Sequence, residues 1–123
     1  MRIQKPMVGI TGDFRPASYN GAALSWFSTG YYDSVNAAGG IPILLPPLEN
    51  EDDRNQMMEN VTGVVLSGCN LDLDPTRMKM HIHPSVKVMP KRREDFDRCV
   101  AEMAIKRRLP ILAIGSGMQL VNA

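Results

Sequence analysis

Four short apolar runs alternate with amphipathic helical patterns along this chain, and that alternation constrains the fold more than any other feature. The runs are Met7–Thr11, Ile41–Pro46, Gly63–Gly68 and Pro110–Ile114. Each is almost continuously apolar rather than alternating, the pattern of a strand buried on both faces of a parallel sheet. Between the first two, Tyr31, Val35 and Ala38 fall at helical spacing, with Ser28 or Thr29 placed to cap and Gly39-Gly40 to stop. Asn50 precedes an acidic-started helix over 51–61 that turns Met57, Met58 and Val61 inward. A third helix over 93–108 carries the stripe Phe96, Cys99, Val100, Met103 and Ala104, which places Cys99 in the core. Segments 14–30 and 69–90 read as loops. The order β-α-β-α-β-α-β predicts a parallel sheet covered by helices on both faces.

Right-handed crossovers bring the functional loops of such a sheet to the carboxyl ends of its strands. Those ends carry Asp13, Pro46-Pro47, Ser67-Gly68-Cys69 and Gly115-Ser116-Gly117. With 123 residues the chain is one domain at most, and 14 Lys+Arg against 13 Asp+Glu give no signal for nucleic acid or an acidic partner. The basic triplets Lys91-Arg92-Arg93 and Lys106-Arg107-Arg108 flank the third helix and read as its solvated ends. No apolar run approaches the roughly 18–20 residues that cross a bilayer, so no membrane contact is expected. Cys69 and Cys99 make neither a disulfide framework nor a metal spacing, and a reducing, cytoplasmic setting is expected. After the fourth strand only "SGMQLVNA" remains, which leaves that strand as an expected apolar edge.

Four stretches in order, "KPMVGITGDFR", "YYDSVNAAGGIPILLPP", "GVVLSGCNLDLDP" and "LPILAIGSGMQLVN", together resemble the class I glutamine amidotransferase-like family. Within it the chain is most similar to the γ-glutamyl-γ-aminobutyrate hydrolase-like branch. The resemblance implies a flavodoxin-like three-layer α/β fold, of which residues 1–123 would be the N-terminal half of a single domain. It also implies a cysteine hydrolase of γ-glutamyl amides, whose nucleophile sits on an elbow of the form G-x-C-x-G-x-Q. Ala113-Ile114-Gly115-Ser116-Gly117-Met118-Gln119 occupies that elbow here. The last Gly and the Gln match; the first Gly is Ala113, and Gly115 stands where the cysteine belongs. Glycine offers no thiolate, so no acyl-enzyme forms by that route. By the same resemblance the backbone N–H groups of Cys69 and Ser116 would form the oxyanion hole, Gly68 and Gln119 would contact the ligand, and the general base would lie outside this chain.

Other residues invite chemical readings. Ser116 lacks the flanking glycines of a serine elbow, and its side chain is expected to point away from the cleft. Cys69, where the family has a second loop glycine, is either a displaced nucleophile or a small packing residue. His81 and His83, two apart, need a further ligand such as Asp72 or Asp74 to hold a metal; solvent-facing loop histidines are the simpler reading. Asp72-Leu73-Asp74-Pro75 reads as a turn. No phosphate-loop pattern is present, so no cofactor is expected.

Three functions follow: a γ-glutamyl amide hydrolase or amidotransferase, a catalytically silent module that keeps the ligand pocket, and one half of a two-chain or longer enzyme. All three expect a small γ-glutamyl or glutamine-like ligand. The uncovered last strand adds an expectation of a homo-oligomer or of a partner chain supplying the second half.

Overall fold

The computed structural model describes residues 3–69, 71, 73–80 and 87–122. In chain order its elements are β1 (Met7–Thr11), β2 (Asp13–Arg15), β3 (Leu24–Trp26), α1 (Thr29–Ala37), β4 (Ile41–Leu45), α2 (Glu51–Met58), β5 (Gly63–Leu66), α3 (Lys91–Lys106), β6 (Ile111–Ala113) and α4 (Ser116–Asn122). Strands β1, β4, β5 and β6 form one parallel sheet in the order β4-β1-β5-β6. Numbered along the chain, these four strands lie in space as 2-1-3-4, the order of a flavodoxin-like doubly wound sheet. The expected α/β architecture is therefore the one adopted.

Strand alternation divides the side chains between two faces. On one face Val64 and Leu66 of β5 pack with Met58 of α2, Phe96, Val100 and Ala104 of α3, and Leu120 of α4. Each large side chain buried there contributes roughly 1.5–3 kcal/mol of transfer free energy, which is why the short helices hold. On the other face α1 supplies the only helix among the described residues, and none of its residues is fully buried. Val35 of α1 and Ala38 just beyond it, with Val65, Leu112 and Ile114, line an apolar groove of about 720 Å³. Among the described residues strand β6 lies at the sheet edge, and Leu112 is 59% exposed. No helix among the described residues is long and apolar enough to cross a membrane.

The structure departs from the sequence reading in four places. Segment 14–30 is not simply a loop: β2 and β3 pair as an antiparallel hairpin, Asp13 opposite Trp26, closed by a Ser18–Gly21 bridge. Three-residue strands are too short to show a period, and the Arg15 guanidinium stacked 5.3 Å from the Trp26 ring adds a cation–π contact across the pair. Lys91-Arg92-Arg93 is no solvated helix end, because α3 begins at Lys91 and its twist turns Arg93 into the interior at 0% exposure. Cys99 is half-buried rather than in the core, its thiol touching Met103 Sδ at 3.4 Å. The long loop contains a 3₁₀ turn, Pro75–Met78, started by Asp74 Oδ1 accepting the Thr76 N–H at 2.9 Å. Of the turn expected over Asp72-Leu73-Asp74-Pro75, Asp72 lies outside the described residues, and Asp74 and Pro75 open this 3₁₀ turn with the proline at its first position. By contrast Lys106, Arg107 and Arg108 are exposed, as expected.

Helix α4 starts directly against β5. A Cβ at Gly117 would lie 2.5 Å from the Leu66 carbonyl oxygen, a backbone atom that cannot move without breaking the sheet. Gly117→Ala is expected to lower stability by roughly 2–3 kcal/mol in a denaturant titration. Gly30→Ala, whose added Cβ meets nothing within 4 Å, is the matched control and should leave the midpoint unchanged or raised.

Candidate ligand site at the carboxyl ends of the strands

Strands β1 and β5 end side by side, and Thr11 at the end of β1 is tied to Ser67 just beyond β5. The Ser67 N–H donates to Thr11 Oγ1 at 3.0 Å, and the two hydroxyls lie 3.5 Å apart. Beneath them the Arg93 guanidinium enters from the first turn of α3. Its Nη1 donates to Asp13 Oδ1 at 2.8 Å, Nη2 to the Ser67 carbonyl at 3.0 Å, and Nε to Asp97 Oδ2 at 3.2 Å. One side chain thus joins β5, the hairpin and α3. Asp13 Oδ1 also accepts from Arg15 Nη1 and the Phe14 N–H, each at 2.9 Å.

The electrostatics follow from burial. Burial pulls the Arg93 guanidinium down, but Asp97, the Cys69 sulfur and Asp13 more than offset it, and the group is held above arginine's usual range. Asp97 goes the other way. Burial pushes its carboxyl up to about 7, only partly opposed by Arg93, and its Oδ1 is buried with no hydrogen-bond partner. Next to Arg93, buried Glu94 accepts from the Asp74 N–H at 2.7 Å, Arg77 Nη1 at 2.9 Å and Arg98 Nε at 2.9 Å, anchoring the loop that follows β5.

The second wall is the turn after β6. The Ile114 N–H donates to the Leu66 carbonyl at 3.0 Å, holding the turn against β5. Gly115 then takes φ +55°, the left-handed conformation that glycine adopts without strain. A Cβ at 115 would lie 3.4 Å from Gly68 Cα, so the two loops meet backbone to backbone at a pair of glycines. Ser116 is buried, and its hydroxyl donates to Cys69 Sγ at 3.8 Å. Its side chain points into the loop contact. Cys69 Sγ also accepts the Leu71 N–H at 3.4 Å. The Gly68 N–H donates to the Tyr31 hydroxyl at 3.3 Å.

Between these walls lies a polar cavity of about 190 Å³, lined by Asp13, Trp26, Tyr31, Ser67, Gly68 and Cys69 among others. Of the residues singled out from sequence, Gly68 and Cys69 line it, while Gly115 and Ser116 abut them across the glycine pair. Gln119 lies exposed on α4 outside the lining. Asp74 caps the 3₁₀ turn and is held below the usual carboxylate range by its bonds from Thr76. Asp72, His81 and His83 lie outside the described residues. Among the described residues no three His, Cys, Asp or Glu side chains cluster as metal ligands. Sequence reasoning missed Arg93, Trp26 and the hydroxyl of Tyr31. Arg93 and Asp97 sit four apart on one helix face, a legible pair, but a run of three basic residues disguised it.

The Peptidase C26 family profile matches residues 6–123. A protein of Rickettsia prowazekii named as glutamine amidotransferase-like is 35% identical over 97% of this chain and 43% of its own length. Protein NtpR of Enterococcus hirae is 27% identical over 95% of this chain and 49% of its own. A protein of Mycobacterium tuberculosis named as a glutamine amidotransferase is 25% identical over 96% of this chain and 39% of its own. The chain thus spans less than half the length of these curated relatives.

The Asp97 carboxyl, raised in the fold to about 7 from an unfolded value near 3.9, binds a proton more readily folded than unfolded. Its contribution to stability is complete below pH ~4 and is lost as pH rises through about 7. Asp97→Asn removes this titration. The stability of the unmodified chain relative to the variant should therefore fall between about pH 4 and about pH 7 and level off above, measured by denaturant midpoints at each pH. A difference that is flat with pH would contradict the raised carboxyl.

Proposed function

We propose that this chain, which belongs to the Peptidase C26 family, is a glutamine amidotransferase-like protein that holds a γ-glutamyl or glutamine-like ligand without cleaving it through a cysteine nucleophile. One observation carries the reading: Gly115 sits at the apex of the strand-turn-helix elbow at φ +55°, with no side chain. A nucleophile at an elbow normally accepts backbone strain in exchange for exposure; glycine relaxes the strain and removes the chemistry. What remains is built from backbone. The Cys69 and Ser116 N–H groups have no acceptor among the described residues and would serve as the oxyanion-type donors. Gly68, from the cavity wall, and Gln119, from the rim, are the proposed ligand contacts. Cys69 is not the nucleophile in this reading, because its sulfur is engaged by Ser116 and Leu71.

Residues 1–123 would constitute the N-terminal half of one amidotransferase-like domain. The β6 edge and the groove beside α1 would be closed by the other half, in the same or a second polypeptide, or by a second copy. An unpaired apolar edge favours such an addition. No part of this reading calls for a cofactor.

Two measurements test it. With L-glutamine and with a γ-glutamyl anilide, turnover should not exceed the buffer rate, while L-glutamine at about 100 times its Kd should stabilise the protein by about 2.7 kcal/mol, seen as a raised Tm. Turnover abolished by Cys69→Ala would replace this reading with one in which that thiol attacks. Restoring a side chain at the apex, Gly115→Cys, should fit sterically yet cost roughly 1–2 kcal/mol for the left-handed backbone. Native mass spectrometry checks the second point: a monodisperse 13.6 kDa monomer would count against any added half.

A further inference from the structure

Tyr31 stands at the boundary between the polar cavity and the apolar groove and lines both. Its hydroxyl oxygen accepts the Gly68 N–H, so the loop amide at the end of β5 is already engaged within the protein. The hydroxyl proton itself has no acceptor among the described residues. A hydroxyl that accepts an N–H is polarised and becomes a stronger donor. The charges around the cavity indicate what it would donate to. Arg15 and Arg93 both bond to Asp13 Oδ1, and Asp97, pushed up to about 7 by burial, carries only part of a charge near neutral pH. Asp13 is the one charged side chain among the described lining residues, and with its Oδ1 already held by two guanidiniums it leaves the Tyr31 corner open to a ligand anion. Asp13 Oδ2 bonds to none of the described residues and is free to accept an ammonium on the same ligand. At about 190 Å³ the space is below the roughly 300–1,000 Å³ of pockets for drug-sized molecules, and suits an amino acid.

We propose that Tyr31 is the specificity-determining donor of this cavity, accepting the Gly68 N–H and donating its own O–H to the carboxylate of a small amino-acid-like ligand. This inference rests on reading the cavity as the ligand site. It reassigns the ligand contact at this corner from the Gly68 amide to a side chain, so that recognition of the carboxylate depends on a residue of α1 and not only on the strand-end loops.

The test is calorimetric titration of the full chain and of Tyr31→Phe, with two probes, L-glutamine and 4-aminobutanamide, its analogue without the carboxylate. Amide shifts of the ¹⁵N-labelled chain are followed in parallel. L-Glutamine should move the Gly68 resonance, and Tyr31→Phe should weaken its binding about tenfold or more, the effect of a lost hydrogen bond to a charged group. 4-Aminobutanamide should bind both proteins equally and weakly. A purely structural tyrosine would lower Tm and weaken both probes alike, which would overturn the proposal, as would unchanged glutamine binding by Tyr31→Phe. Failure of the unmodified chain to bind either probe would sink the cavity reading and this inference together. Binding that is insensitive to Tyr31→Phe would sink the inference alone.

Discussion

A guanidinium with no exposure to water must find an acceptor for each of its donor groups inside the protein, and Arg93 meets that demand by drawing three separate elements onto itself. Asp13 comes from the hairpin, Ser67 from the end of β5 and Asp97 from the next turn of α3. Removing the arginine would leave the buried Asp97 carboxyl without its ion-pair partner, a penalty of about 3–5 kcal/mol in comparable pairs. The arrangement is thus less a source of net stability than a device for holding the strand-end loop in one place. Asp97, with an orphan buried oxygen and a raised carboxyl, is where its cost is concentrated.

That fixed loop meets a second one, and the contact is made by glycines. Gly68 and Gly115 approach so closely that a Cβ on Gly68 would lie 3.1 Å from the Ile114 carbonyl. An elbow that presents a nucleophile needs the same close approach and the same left-handed apex. None of this contact depends on a side chain at position 115, because Gly115 meets Gly68 through backbone atoms. Cys69 and Ser116 fill the contact with a weak thiol–hydroxyl bond.

The two faces of the sheet are unequal. Beneath α2, α3 and α4 lies a continuous core centred on Leu66, Phe96 and Val100. Above, α1 leaves Leu112 and the flank of β6 in solvent. The same asymmetry places Tyr31, near the start of α1, where it borders open apolar surface on one side and the polar cavity on the other. The groove and the cavity are thus neighbours that share one side chain, Tyr31.

The periodicities in the sequence determined the parallel strands, the helices between them and the loop ends where a site could form, because a period of 2 or 3.6 over several residues is a local property. "AIGSGMQ" likewise announced an elbow and its glycine apex, since turn chemistry is written in single residues. Three things were decided only in three dimensions. The β2–β3 hairpin has strands too short to carry a period, and it is held by Asp13 reaching Arg93, 80 positions away. Arg93 looked like one of three solvated cations, and only the rotation of α3 against β5 turned it inward. Tyr31 read as a helix-face residue, and its hydroxyl acquired a role when the fold brought it 3.3 Å from Gly68, 37 positions along the chain. Hydrogen bonds across such separations leave no mark on local sequence, so tertiary packing alone selects them.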